Sequence, residues 1–585
     1  MITAEIGKDS KVPVETSVSP ALESASQESS PYKEENVSAW QRFKDSFKAA
    51  ETEAVDNNLS TVEKSNLRSA KAPLKRKLKS RHLQMIAIGG SIGTGLFVGS
   101  GSALASGGPA AVLIAWILTG VMMYSTVQAL GELAVTFPVS GSFVQYNTRF
   151  ISPVWGFCMA WNYALQWLVV LPLELVACSL TIKYWNTSVN SAAWVAIFYV
   201  AISGINMFGI KGYGEAEFVF SFCKVLAIIG FIILGIVLDC GGGPVKGYIG
   251  GKYWSNPGAF ANGFKGVCSV FVTAAFSFAG TELCGLAAAE TANPRKSLPS
   301  ATKQVFWRIT LFYIISLTLI GLLVPYNDPQ LLDGSSSVDA KASPFVIAIK
   351  NHGIKGLPSV MNAVIMIAVL SVGNSSVFGC SRCLASLAEM GMAPKCFGFI
   401  DRMGRPMVGI GISLLVGLLC FLAASSQEGT IFTWLLALSG LSSVFTWGSI
   451  CACHLRFRAA LELQGRTTDE LTFTSQCGKI GSWFGVILNV LILIAQFYVA
   501  LFPIGGQPSA DAFFEAYLTV PVLIAFIVYY LIWKKDFLFY IKTKDLDVDT
   551  GRRDMDLDRV KQEIAEEKAY IQSKPFYYRM YKFWC

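Results

Sequence analysis

Histidine is almost missing from this chain: there are three in 585 residues, His82, His352 and His454, far apart in sequence. That scarcity argues against a histidine-based metal centre, and no metal site is expected. It also leaves no cluster of His, Asp and Ser for hydrolytic chemistry, so the chain does not read as an enzyme. Charge is scarce as well, at 15% of residues against 53% hydrophobic. Such a composition, with long apolar runs, excludes a string of soluble domains and indicates an integral membrane protein. The net charge of +8 would suit a nucleic-acid binder. The basic residues are instead spread between the apolar runs, which excludes that partner. An apolar opening is lacking too, since the first 70 residues are polar and no cleavable signal peptide is expected. The 14 cysteines are scattered, many inside apolar runs, and fit buried thiols rather than a disulfide framework.

What remains is a polar tail, a series of apolar segments and a second charged tail. Residues 1–82 are rich in Ser, Glu, Lys and Thr and read as a disordered or loosely helical cytosolic N-terminal tail. Lys71, Lys75, Arg76, Lys77, Lys79 and Arg81 close it, a basic cluster that fixes the N-terminus in the cytosol. Twelve apolar stretches follow, each near the roughly 20 residues a bilayer needs. The first six are 85–108, 111–134, 157–183, 192–210, 216–239 and 267–288. The second six are 305–325, 358–384, 407–425, 430–455, 483–503 and 513–534. Thirteen Lys and Arg fall in the even-numbered connections against seven in the odd-numbered ones, so the even connections and both termini are expected in the cytosol. A twelve-helix domain thus spans 83–534, and 535–585 is a cytosolic C-terminal tail. Residues 556–572 read as a short helix, either amphipathic at the membrane surface or simply solvated. Asn186 begins a glycosylation sequon on the expected outer side. Cys585, after Phe583 and Trp584, is a candidate for S-acylation.

Two segments carry breaks. Between Gly89 and Gly95 lie four glycines, in a run without charge from Arg81 to Glu132. Each interior glycine costs about 1 kcal/mol against alanine in a helix. Unpaired backbone at membrane depth persists only where it lines a cavity or is buried in protein. Close packing of small residues is the alternative reading. The pattern Ile92-Gly93-Thr94-Gly95-Leu96 returns five segments later as Ala279-Gly280-Thr281-Glu282-Leu283. Matching interruptions in two halves indicate an inverted repeat with a site near the midplane. An odd number of spans per repeat turns the second copy upside down.

Broken helices offer two complementary ends. Amides near Gly93, Thr94 and Gly95 suit a carboxylate, and carbonyls near Ser91, Phe276 and Ala279 suit an ammonium group. An α-amino acid carries both charges on one carbon. Phe276 and Phe278 are candidate aromatic gates, with ordinary packing as the alternative for Phe278. Ionisable groups inside spans are costly and so are functional candidates. They are Glu174, two residues after Pro172; Lys224, alone in an apolar run; and Glu282, directly after the second break. Lys224 is read as a titrating group near the first break, with structural pairing to a carboxylate as the alternative. Glu282 is read as a gate or proton acceptor, and Glu132 as an interfacial anchor. Gly89-Gly90-Ser91-Ile92-Gly93 matches a hydrolase elbow but lacks the preceding strand and a nearby histidine. Cys380-Ser381-Arg382-Cys383 is a lone pair of cysteines read as structural.

At these residues the chain resembles a known family. The stretch from His82 to Leu96 is similar to the first span of fungal amino acid permeases, of the amino acid–polyamine–organocation superfamily. Ala129-Leu130-Gly131-Glu132-Leu133, Lys211-Gly212-Tyr213-Gly214-Glu215-Ala216-Glu217 and Asn293-Pro294-Arg295-Lys296-Ser297 match too. The likeness is strongest to the general permeases of yeasts and leaves out the N-terminal tail. It implies an all-α LeuT-like fold with a 5+5 inverted repeat and helices 1 and 6 broken. It implies a broad, proton-coupled amino acid symporter of the plasma membrane, energised by the proton gradient without a bound cofactor. An amino acid sensor on the same fold, or a permease of narrower range, is the alternative. By position, Glu174 matches a span-three carboxylate and Lys224 the proton site. Gln166 and Ser439 match specificity positions, where Gln166 departs from the small hydroxyl residues of basic-amino-acid permeases. The resemblance also implies a ubiquitin ligase or adaptor acting on the tail, with Lys8, Lys11 and Lys33 as acceptors.

Overall fold

The computed structural model describes residues 38–50, 61–72, 74–90, 92–185, 188–332, 343–424, 428–552 and 557–579. Two compact units result, Met1–Lys48 and Ala49–Cys585. In the first, a short helix Ala39–Asp45 places the Lys44 ammonium 5.3 Å from the Trp40 ring. All that follows concerns the second.

The second unit is helical. Among the described residues no strand forms, and β pairing is confined to the bridges Ala49 with Asp401 and Leu78 with Thr291. Among the described residues eight helices are long and apolar enough to cross a membrane, and the shorter apolar helices are Ser191–Met207, Met407–Phe421 and Thr519–Lys534. Helical residues fall inside each of the twelve expected stretches. The helical run Gly95–Thr136 is interrupted at Gly108, whose φ of 81° is open to glycine, and Pro109 restarts it. The loop at Ala259–Ala261 supplies the backbone partners that this interruption leaves wanting: Ala110 N donates to Ala259 O at 3.0 Å, and Ala261 N to Gly107 O at 2.9 Å.

Helix Gly209–Asp239 shows what solvent the fold is built for. Tyr213, Glu217, Ser221, Lys224, Ile228 and Phe231 recur at three- and four-residue spacing and are buried. Val219, Phe222, Leu226, Ile229 and Ile233, on the opposite face, are exposed. Polar groups inside and aliphatic groups outside invert the pattern of a water-facing helix. This face meets lipid, where exposed apolar surface carries no penalty.

Folded structure begins before residue 83. Helix Thr61–Ala70 buries Ser65, Asn66 and Ser69, and helix Ser80–Gly89 starts inside the expected tail. Asn66 Nδ2 donates to Asp547 Oδ2 at 2.6 Å and its Oδ1 accepts from Gln145, while Arg149 Nη2 donates to Thr550 O at 2.7 Å. The segments at Asn66 and at Asp547–Thr550 are thus both tied to the short helix Phe143–Phe150. Glu132 also departs from expectation. It is no interfacial anchor but fully buried, accepting from Arg458 at 2.6 Å, from the Ser475 amide at 2.7 Å, and lying 3.1 Å from His454 Nε2.

Candidate functional site

Helix Ser80–Gly89 ends with Gly90 N donating to Ile86 O at 3.0 Å. Regular structure resumes at a π turn, Gly95–Gly99, whose approach is marked by Leu96 N and Phe97 N both donating to Gly93 O. The first amides of a helix have no intrahelical acceptor, so those around Gly93, Thr94 and Gly95 open this second half. The second break has a different cause. Helix Phe271–Phe278 stops as Ala279 turns to a ψ of 139°, and Gly280 takes a φ of 94°. Only glycine holds that backbone without strain. Chain direction then recovers through Leu283–Leu286 and Ala287–Glu290.

The two breaks touch. A Cβ on Gly95 would lie 2.5 Å from the Cα of Ser277. Between them lies a tight cleft with about 10 Å³ of free space, lined by Gly93, Thr94, Gly95, Phe276 and Ala279 from the breaks. Trp167, Val170 and Glu174 of helix Pro153–Ile182 and Val372 of helix Leu357–Glu389 close it. Thr94 Oγ1 donates to the carboxylate of buried Glu174. An amide-rich helix start and a carboxylate therefore face one small space, which is the charge pattern a zwitterion requires. Ser91 lies outside the described residues.

Beside this cleft, Lys224 Nζ donates to Ile92 O at 3.1 Å, on the broken stretch itself, and to Ser371 Oγ at 2.7 Å. Ser371 Oγ in turn donates to Glu217 Oε2 at 2.7 Å, and Asn374 Nδ2 donates to Glu217 Oε1 at 2.9 Å. Lys224, Ser371, Asn374 and Glu217 are all fully buried. Structural pairing and proximity to the break are thus both present, the pairing running through a serine. Arg308 spans the two breaks: Nη1 donates to Ala87 O at 2.6 Å and Nη2 to Thr281 Oγ1. Tyr313 OH donates to Ser277 O at 2.7 Å.

Besides Lys224, four candidates stand outside the cleft lining. Gln166 Nε2 donates to Ser443 Oγ at 2.8 Å, and Ser443 Oγ to Ser439 O at 3.1 Å, which links the two positions that the resemblance marks for specificity. Gln166 Oε1 and Ser439 Oγ are buried without a hydrogen-bond partner among the described residues. Glu282 accepts from Trp447 Nε1 at 3.1 Å, Tyr163 OH at 3.2 Å and Gly280 N at 3.2 Å, and so ties three elements together below the second break. Phe278 packs on Tyr313 with ring centroids 4.4 Å apart and is fully buried, which is the packing alternative. Asn186, Cys585, Lys8, Lys11 and Lys33 lie outside the described residues.

Sequence reasoning missed Glu217, Ser371, Arg308 and the lining residues Trp167, Val170 and Val372. Glu217 had a signal, since it stands seven residues before Lys224 and therefore on the same helix face. Arg308 had one as well, a charge inside the stretch expected to span at 305–325. The others are apolar residues or a serine in apolar helices and carry none. Among the described residues no group of three or more His, Cys, Asp or Glu is placed to hold a metal ion. The thiols of Cys380 and Cys383 donate to the Ala164 and Ala160 carbonyls, a structural role.

A family model described as amino acid permease matches residues 82–541. The general amino-acid permease GAP2 of Candida albicans is 68% identical over 547 residues, 93% of this chain and 93% of its own length. The general amino-acid permease GAP1 of Saccharomyces cerevisiae is 61% identical over 554 residues, 94% of this chain and 92% of its own. A histidine permease of Saccharomyces cerevisiae is 52% identical over 518 residues, 88% and 86% of the two chains.

Proposed function

The chain belongs to the amino acid permease family, and from that premise we propose a proton-coupled symporter of broad range in the plasma membrane. Amino acid import, a transport activity and not an enzymatic one, follows from the family. Proton coupling, range, location and the residue roles are the proposal. The observation that carries it is the cleft where both interrupted helices meet, with Lys224 bonded to the carbonyl of Ile92 beside it.

In this reading the chain crosses the bilayer twelve times, with both termini cytosolic, and spans one to ten form a 5+5 inverted repeat broken in its first and sixth helices. The interruption at Gly108 supports counting Gly95–Thr136 as the end of one span and the whole of the next. Amides at Gly93, Thr94 and Gly95 take the substrate carboxylate. Phe276 and Ala279, with Ser91, take its amino group, and Glu174 holds the Thr94 hydroxyl toward them. Gln166 and Ser439 act on the side chain from behind the lining, through Ser443. Lys224 occupies the place a coupling ion would need against the first break, and exchanges a proton there. Glu282 holds the closed arrangement below the second break. A broad range agrees with the names of the two general permeases at 68% and 61% identity. No cofactor is called for, because the proton gradient supplies the work. The tail lysines and Cys585 remain proposed modification sites, and Asn186 a proposed glycan site.

The experiment is uptake of one radiolabelled amino acid into vesicles containing the purified protein and a pH-sensitive dye, with all common amino acids as competitors. Symport predicts internal acidification in step with uptake and competition by many amino acids. Uptake without proton movement would reject the coupling, and binding without flux would make the protein a sensor.

A further inference from the structure

The buried carboxylate of Glu217 has no part in substrate binding as argued above, yet it is the acceptor at the end of a directed chain of hydrogen bonds. Lys224 Nζ donates to Ser371 Oγ at 2.7 Å, and Ser371 Oγ donates to Glu217 Oε2 at 2.7 Å. Every group in it is fully buried. A lysine and a glutamate that deep in a bilayer are expensive unless they neutralise each other or do work. A direct ion pair would have achieved neutrality more simply. Here a hydroxyl, able to donate and accept at once, stands between them.

Position adds direction. Glu217 and Lys224 share one face of helix Gly209–Asp239, two turns apart. At 1.5 Å per residue, that is about 10 Å along the axis. In the orientation proposed above this helix begins at the cytosolic side, so Glu217 is nearer the cytosol and Lys224 nearer the substrate cleft. Polar groups continue past Glu217. Asn374 donates to it and accepts from Asn206 at 3.0 Å, and one turn further Tyr213 OH lies 3.1 Å from Ser375 Oγ. The charges acting on Lys224 are those of Glu217, Glu174 and Arg308, and the charge acting on Glu217 is that of Lys224.

We infer that Glu217 is the cytosolic-side proton acceptor of Lys224, with Ser371 as the relay. In the step, one N–H bond of the Lys224 ammonium breaks as a bond forms to Ser371 Oγ. At the same time the Ser371 O–H breaks and its proton bonds to Glu217 Oε2. Lys224 ends as a neutral amine, Ser371 as an unchanged hydroxyl and Glu217 as a carboxylic acid. Two buried opposite charges vanish together, so no net charge is stranded in the membrane. The acid then loses its proton toward the cytosol, and Lys224 is reloaded when the cleft opens outward. Because the symport reading supplies the proton, this inference rests on it.

The test uses the full-length protein in vesicles and reads three quantities: exchange of labelled for unlabelled amino acid, accumulation driven by an imposed pH gradient, and internal acidification. For Glu217→Gln, gradient-driven accumulation and acidification are expected to fall at least tenfold while exchange persists, and its dependence on internal pH flattens. Ser371→Ala should behave alike, and Ser371→Thr, which keeps the hydroxyl, should restore coupling. Glu217→Asp serves if the glutamine variant does not fold, and should couple with a shifted internal-pH profile. Normal accumulation by Glu217→Gln, in an assay where Lys224→Ala is uncoupled, would overturn this inference alone. Absence of proton movement by the unmodified protein would overturn the symport reading and this inference with it.

Discussion

The backbones of Gly95 and Ser277 approach so closely that a Cβ on the glycine would sit 2.5 Å from the serine Cα and 2.8 Å from its amide nitrogen. Backbone cannot step aside as a side chain can. Gly95→Ala should therefore separate the two broken helices at a cost of about 1–3 kcal/mol, the usual range for overpacking. Expressed on the arrangement in which the two breaks meet, that is about 5- to 150-fold. The expected result is a drop of that size in initial uptake rate at unchanged surface level. Gly93 differs in kind, since its added Cβ would meet the Val372 side chain at 2.4 Å. Gly93→Ala should regain activity when combined with Val372→Ala, and Gly95→Ala should not.

Glu174 has one oxygen bound by the Thr94 hydroxyl and the other without a hydrogen-bond partner among the described residues. Thr94→Val would leave the buried carboxylate unsatisfied on both, at a cost of about 1–3 kcal/mol. The KM for uptake should rise about tenfold, whereas Thr94→Ser should stay within about twofold of the unmodified protein because it keeps the donor. Equal KM values for the two variants would remove Thr94 from this role.

Arg308 joins the last turn of helix Ser80–Gly89 to Thr281 through two nitrogens of one guanidinium. A lysine offers a single point of donation and cannot hold both ends. Arg308→Lys should thus fail almost as fully as Arg308→Met, with uptake down by about tenfold or more. Both should also lower the unfolding temperature of the detergent-purified protein. Full activity in the lysine variant would show that charge, not the fork, is what the site needs.

How much of this could be read in advance depends on the residue. The breaks were legible because glycine in an apolar run is locally expensive, and the repeated Gly-Thr pattern tied one to the other. Gly93, Thr94, Gly95, Phe276, Ala279 and Glu174 do share one cleft. Lys224 was legible as a lone charge, but its partner was not, because Glu217 sits in a charged stretch near a helix start and looked like part of an end. Burial of Glu132 was hidden for another reason: its partners Arg458 and Ser475 lie more than 300 positions away in the chain. The tail boundary erred because helix Thr61–Ala70 is polar, and its burial against Gln145 and Asp547 is tertiary. Pocket shape stayed out of reach, since Trp167, Val170 and Val372 are indistinguishable in sequence from any lipid-facing neighbour.

Asp547, outside the spans, gives the fold a pH dependence that can be signed. Burial pushes its carboxyl up, but the Arg149 guanidinium 3.9 Å away and the amides of Thr550 and Asp549 outweigh that, so it lies below its ordinary 3.8. A carboxyl lowered in the folded state stabilises it above the unfolded value and loses that contribution as pH falls through the folded one. The contribution is therefore whole near neutrality and fades from about pH 5 downward. Asp547→Asn should lower the unfolding temperature at pH 7 by about 2 °C. The gap to the unmodified protein should close as the pH is taken to 4 and below, read by thermal melts of the purified protein. A gap that stays constant or widens in acid would mean that Asp547 acts through its hydrogen bond to Asn66 and not through its charge.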